Sequence, residues 1–146
     1  MPITSLDREV EQRLRERDVR YTKGRRAVVN SLGASAGPMS AAELHDAIGD
    51  AVPLSSLYRT LAVLEEAEIV VPHFGARAVT RYELAEWITG HHHHLVCVVC
   101  GTVEDVDVPA SHEAEVNDVV AKIAALASFH PTNHVLEIEG KCRQCR

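Results

Sequence analysis

The sequence predicts an α+β protein: an N-terminal winged helix-turn-helix followed by a small α/β unit with a structural zinc site. Three observations predict it. Residues 5–64 carry helical periodicity with cap signals and lead into two short β-type runs, the element order of a winged helix. Beyond residue 84 the pattern changes to short strands around one helix. All four cysteines, in two Cys-x-x-Cys pairs, and seven of the nine histidines lie after residue 83.

Leu6, Val10 and Leu14 recur every fourth residue, which predicts an amphipathic helix over 5–18. Thr22 can cap a second helix over 22–32, with Ala27, Val28 and Leu32 on its apolar side. A breaker cluster at 33–38 precedes Ser40 and Glu43, the capping box of a third helix running to Ile48. A fourth helix follows Pro53, capped by Ser55 or Ser56 and carrying Leu57, Leu61 and Leu64. Residues 69–71 and 79–84 read as two strands turning around Gly75. Strands at 95–98 and 102–108, a helix over 112–127 and a strand at 135–138 complete the chain.

The 146 residues are 46% hydrophobic and 25% charged, the mixture of a globular protein with an aliphatic core, since only 4% are aromatic. No apolar run is long enough to span a bilayer, and none with a cleavage signal follows Met1. No membrane association and a cytoplasmic location are therefore expected. The net charge of −6 excludes coating of nucleic acid by bulk charge. The charge is uneven, however. Residues 1–83 carry −1, residues 84–146 carry −5, and residues 8–26 alone carry +4.

Cys97, Cys100, Cys142 and Cys145 form two knuckles of the kind that hold a tetrahedral Zn²⁺. Gly101 permits the tight turn behind the first. Disulfides or a redox pair are the competing reading, disfavoured by the lack of a secretory signal and by the presence of two pairs. Four sulfurs fill the coordination sphere and leave no open position for catalysis. In the run 91–94, alternate side chains of an extended segment face opposite ways, so His92 and His94 share one face and His91 and His93 the other. One tetrapeptide can thus serve two metal sites, with partners drawn from Glu83, Glu104, Asp105, His112, Glu113 and His134. Imidazole with carboxylate suits Zn²⁺, Fe²⁺, Mn²⁺, Co²⁺ or Ni²⁺, in sites more exchangeable than four thiolates.

These blocks resemble the ferric uptake regulator (Fur) superfamily of metal-sensing bacterial repressors. The likeness rests on the segments 20–26 (RYTKGRR), 40–44 (SAAEL), 57–61 (LYRTL), 81–84 (RYEL), 91–101 and 132–134 (TNH), and covers the chain from Arg20 to Cys145. It implies a winged helix over 1–84 that binds an AT-rich palindrome in double-stranded DNA, a hinge over 85–90, and a metal-binding dimerisation domain over 91–146. It implies structural zinc on the four cysteines, a regulatory site of Glu83, His92, His94 and Asp105, and a further site of His91, His93, His112 and His134. Three departures from the family pattern stand out. His112 occupies a position where the family often has Glu, with Glu113 as the alternative ligand. Pro38 stands where iron-sensing members often offer a histidine, with His73 the nearest replacement. The segment 85–90, with Trp87, is about two residues longer than usual.

The expected function is a homodimeric, metal-dependent repressor of metal-homeostasis genes, not an enzyme. It would sense Fe²⁺ or Zn²⁺, with Mn²⁺ and Ni²⁺ also admitted. Ser55, Ser56, Tyr58 and Arg59 would lie at the major groove, and Arg20, Lys23, Arg25 and Arg26 on the DNA backbone, with Arg20 able to enter a minor groove. The alternatives are a zinc-ribbon module that recruits a protein, or a zinc-dependent hydrolase. The hydrolase lacks an HExxH motif.

Overall fold

A computed structural model describes residues 4–74 and 76–146. The chain divides into two compact units, Met1–Gly90 and His91–Arg146. Among the described residues, no helix is long and apolar enough to cross a membrane.

Local chemistry starts the first helices. In α1 (Ser5–Arg15) the Thr4 hydroxyl accepts the Asp7 N–H, and in α2 (Lys23–Ala34) Thr22 accepts from Arg25. In α3 (Ala41–Ile48) Ser40 and Glu43 form the expected reciprocal box. The fourth helix, α4 (Leu54–Glu66), differs from expectation. It has Pro53 at its cap with no side-chain bond, and Ser55 and Ser56 lie inside its first turn. The proline ring presets φ, and the Pro53 carbonyl accepts the first helical N–H groups, from Ser56 at 2.9 Å and Leu57 at 3.0 Å.

Helix ends also differ. The first helix stops at Arg15 because Asp18 turns left-handed (φ 55), and Val19 N–H returns to the Leu14 carbonyl at 2.9 Å. Glu68 (φ 59) ends α4 in the same way, with Ile69 N–H on the Leu64 carbonyl at 2.9 Å. This is the Schellman arrangement without its usual glycine. At Glu68 the strain is offset by its carboxylate, which takes both Arg13 and Arg17 and ties the ends of α1 and α4 together.

The wing is an antiparallel sheet in the order β1 (Met39–Ser40), β3 (Thr80–Leu84), β2 (Val70–Phe74). Val70 pairs with Leu84 and Phe74 with Thr80; the turn placed around Gly75 lies outside the described residues. One aliphatic core unites the helices and the wing: Val10, Leu14, Val28, Leu44, Leu57, Leu61, Leu64 and Ile69 are all essentially inaccessible. The segment 85–90 is not merely extended linker. It contains a short helix, α5 (Glu86–Thr89), and Trp87 Nε1 donates to the Glu68 carbonyl at 2.7 Å.

In the second unit β4 (His93–Cys97) is the central strand. It pairs antiparallel with β5 (Val103–Val106) and parallel with β6 (Glu137–Gly140), and α6 (Ala110–Ala125) lies on the crossover between β5 and β6. The apolar core here is small: Val96, Cys97, Val103 and Ala124 are buried. The apolar residues of α6 and its C-cap do not all find a core, since Ile123 is 62% and Leu126 89% exposed.

One buried polar group stands out in the first unit. Asp7 is only 4% exposed and accepts from the Thr4 hydroxyl at 3.1 Å and the Tyr21 hydroxyl at 2.9 Å, with the Arg26 guanidinium at 3.1 Å. Burial alone would raise its carboxyl, but the bonds from Tyr21 and Thr4 and the Arg26 charge outweigh burial and hold it below the ordinary aspartate range. A lowered carboxylate stabilises the fold above its unfolded value near 3.8, and loses that contribution as pH falls through the folded value. Asp7→Asn should therefore cost about 1–3 kcal/mol at neutral pH. The difference from wild type should shrink below roughly pH 4, measured by urea denaturation across pH.

Candidate metal centres

The first knuckle follows from backbone geometry. Strand β4 ends at Cys97, and the chain turns back through Gly101 (φ 79), whose N–H donates to the Cys97 carbonyl at 2.9 Å. Parallel pairing of β4 with β6 sets Cys97 opposite Gly140, which delivers the second knuckle beside the first. The four sulfurs lie within 4.8 Å of one another.

The donor set fits a tetrahedral zinc. A Zn–S bond of about 2.3 Å implies sulfur–sulfur edges of about 3.8 Å, and Cys100 Sγ and Cys142 Sγ stand 3.8 Å apart. All four cysteines are free. That sulfur separation is far beyond the bond of about 2.05 Å in a disulfide. The acidities agree. Backbone N–H groups of Cys100 and Cys142 lower the Cys97 thiol to about 6. Sulfur neighbours, Cys142 first, push Cys145 up to about 12. The cluster favours its first thiolate and resists the last, which a divalent cation among the sulfurs reverses.

The histidine run divides as strand alternation requires. His91 and His93 stack edge to face at 4.8 Å between ring centroids, and His92 and His94 do so at 5.0 Å. On one face His91, His93, Glu113 and His134 converge. His93 Nε2 is 2.7 Å from Glu113 Oε2, and Glu113 Oε1 is 3.3 Å from His91 and 2.9 Å from His134. Glu113 Oε1, buried and without a well-aligned hydrogen bond among the described residues, is an oxygen that a cation held by these imidazoles would satisfy. The His93 bond, with the charges of the three histidines behind it, outweighs burial and holds the Glu113 carboxyl below its ordinary range. The set suits a borderline divalent ion.

His112 is not part of this group. It is exposed on α6, where consecutive side chains diverge by about 100°, and Glu113 takes the inward direction. Helix phase, which places one of two neighbours inward, is the signal that separates them. On the other face, His92 and His94 reach Asp105 Oδ1 at 3.6 and 3.3 Å, positioned by the pairing of His94 with Asp105 across β4 and β5. Glu83 lies on β3 of the first unit, opposite Val71. His73 lies on β2 opposite Arg81, and His73 is in none of the ligand groups among the described residues.

Helix α4 buries Leu57, Leu61 and Leu64 and turns Ser55, Tyr58 and Arg59, expected at the major groove, to solvent, with Tyr58 57% exposed and Ser56 half-buried. Arg20 and Lys23 are exposed. Arg25 is half-buried and donates to the Arg20 carbonyl, and Arg26 is held on Asp7, so neither guanidinium is a loose surface charge. Asp7 carried a legible signal: Thr4 and Asp7 have the spacing of an N-terminal capping pair.

Comparison with known proteins places this architecture. The model of the ferric uptake regulator family matches residues 16–139. The ferric uptake regulation protein of Campylobacter jejuni is 31% identical over 137 residues, covering 90% of this chain and 83% of that protein. The crystal structure of the Vibrio cholerae ferric uptake regulator, described for rearrangement of its DNA-binding domains, superposes with a TM-score of 0.73 at 29% identity, covering 90% of this chain and 98% of that one. The Helicobacter pylori ferric uptake regulator, whose structure reveals three functional metal-binding sites, gives 0.76 at 25% identity, with 99% and 94% covered.

Two outcomes test the site geometry. Cys142→Ala should abolish stoichiometric zinc retention and strip amide protection from β4–β6, while α2–α4 keep theirs, by elemental analysis and hydrogen exchange. Glu113→Ala should weaken metal binding at its cluster by about 10-fold or more, whereas His112→Ala should leave it unchanged, by calorimetric titration of the zinc-loaded protein.

Proposed function

The chain belongs to the ferric uptake regulator family of metal-responsive transcriptional regulators, and we propose that it acts as a dimeric, metal-dependent repressor of metal-homeostasis genes. The observation that carries this reading is β4: one short strand offers ligands to two mixed histidine–carboxylate groups and ends in a four-thiolate group. Four thiolates suit a permanent ion, and histidine with carboxylate suits an exchangeable one. The family's regulators are not enzymes, and this chain is read in the same way.

The proposed division is a winged helix over 1–84, a hinge over 85–90 and a metal-binding dimerisation domain over 91–146, supported by the two compact units. The proposed structural zinc ligands are Cys97, Cys100, Cys142 and Cys145. His92, His94 and Asp105 are proposed for the regulatory ion, with Glu83 of the first unit as the fourth ligand on the strength of the sequence resemblance. His91, His93, His134 and Glu113, in place of His112, are proposed for the further site. Fe²⁺ or Zn²⁺ is the proposed regulatory metal. The exposed apolar side chains Ile123, Leu126 and Phe129 support dimerisation through the second unit.

DNA contact is proposed through Tyr58, Arg59, Ser55 and Ser56 in the major groove, with Arg20, Lys23 and Arg25 toward the backbone of an AT-rich palindrome. Such a regulator works where the DNA is, in the cytoplasm. Metal and DNA binding are linked, so each tightens the other by one common factor.

With the operator selected by wild-type protein from random duplexes, saturating metal should raise affinity by about 5- to 150-fold, read by fluorescence anisotropy. Equal affinity with and without metal would refute sensing. Glu83→Gln should reduce that metal response while the tightly held zinc stays at full stoichiometry. Arg59→Ala should cost about 1–3 kcal/mol of operator binding; no DNA binding by wild type would favour a protein-recruiting zinc module.

A further inference from the structure

Resting on the DNA-binding reading above, we infer that Asp7, Tyr21 and Arg26 form a brace that presents the Arg20 side chain to an AT-rich minor groove. They act as positioning residues and touch no base themselves.

The geometry begins with a division of labour among the arginines. Arg13, Arg17, Arg26 and Arg81 are each engaged by a carboxylate. Arg20 is exposed and borders two open clefts, of about 740 and 430 Å³. It lies in the segment that leads into α2, where the Thr22 cap residue is extended (φ −71, ψ 164). Arg20 is exposed and Tyr21 half-buried, so the two neighbouring side chains turn in different directions.

Tyr21 is the anchor. Its hydroxyl donates to Asp7 Oδ1 at 2.9 Å, and the Arg26 guanidinium lies 4.3 Å from its ring centroid while pairing with the same oxygen at 3.1 Å. Asp7 Oδ2 accepts from Thr4, so this carboxylate is held from the start of α1 and in turn holds the start of α2. The Arg20 backbone is clamped separately: its carbonyl accepts the Thr22 N–H at 3.1 Å and a bond from Arg25. Backbone and neighbour are held by these bonds, while the exposed Arg20 side chain has no carboxylate partner among the described residues. An arginine entering a narrow groove loses rotamer freedom, and a preset backbone lowers the total ordering cost. A-tract minor grooves concentrate negative potential, which is where such an arginine gains most.

The test is a double-mutant cycle on zinc-loaded, metal-saturated full-length protein. Anisotropy would be read on the wild-type-selected operator and on the same duplex with its minor-groove A·T pairs changed to G·C. Arg20→Ala should weaken operator binding about 10-fold, narrow the A·T preference, and reduce the salt slope by about one. Tyr21→Phe, which keeps the stacked ring and removes only the hydroxyl, should lose about 3-fold or more and narrow the same preference. The double variant should bind no worse than Arg20→Ala. Additive losses, a Tyr21→Phe protein that binds as wild type, or a loss equal on both duplexes would overturn the brace. Should Asp7→Asn fail to fold, the Tyr21 cycle decides alone. If Arg20→Ala binds as wild type while Arg59→Ala does not, the brace falls and DNA recognition stands. If both bind as wild type, the DNA reading falls and takes the brace with it.

Discussion

Two-residue alternation along one strand is the constraint on which the rest of the structure depends. Because side chains of an extended segment point to opposite faces, the run His91 to His94 cannot serve a single site. It supplies His91 and His93 to the carboxylate of Glu113 and sends His92 and His94 toward Asp105. The same strand ends at Cys97, inside the thiolate cluster. Any shift of β4 by one residue would exchange the two histidine faces and move Cys97 away from Cys142. Metal chemistry and strand register therefore enforce each other.

That dependence suits the energetics of the second unit. Its buried apolar side chains are few, while Ile123, Leu126 and Phe129 face solvent. A fold of this size has little hydrophobic stabilisation to set against its conformational entropy. Ligand groups take the place of core, and His93 and His94 are buried along with Val96 and Val103. The first unit is organised in the opposite way. A continuous aliphatic core holds four helices and the wing, and polar chemistry sits at its margins: the Asp7 cluster at the start of α2, and Glu68 where α4 ends. The net charge follows this partition. Acidic excess belongs to the ligand-rich half, and the basic stretch belongs to the winged-helix half.

Much of this was legible because it is local. Thr22 and the Ser40–Glu43 pair start helices from within four residues of chain, and the cysteine knuckles declare themselves by spacing. Contacts made across the fold were less legible. Nothing near Glu68 in sequence announces that Arg13 and Arg17 will stabilise a left-handed helix end. Arg26 reads as one more positive charge until Asp7 is seen beneath it. Ser55 and Ser56 look like caps because serine often is one, yet Pro53 sets the helix start two or three residues earlier.

By itself the sequence determined the order of the main elements though not β1 or α5, the family, the four cysteines and the two faces of the histidine run, since each rests on spacing along a single segment. Only the tertiary structure decided which partners those faces meet. Glu113 rather than His112 joins His91, His93 and His134 because neighbouring side chains on α6 diverge by about 100° and only one is directed to them, and Asp105 stands beside His94 because β5 pairs with β4 in that register. Composition bounds what a residue can ligate. The fold, by bringing distant segments within a few ångströms, decides which residue does.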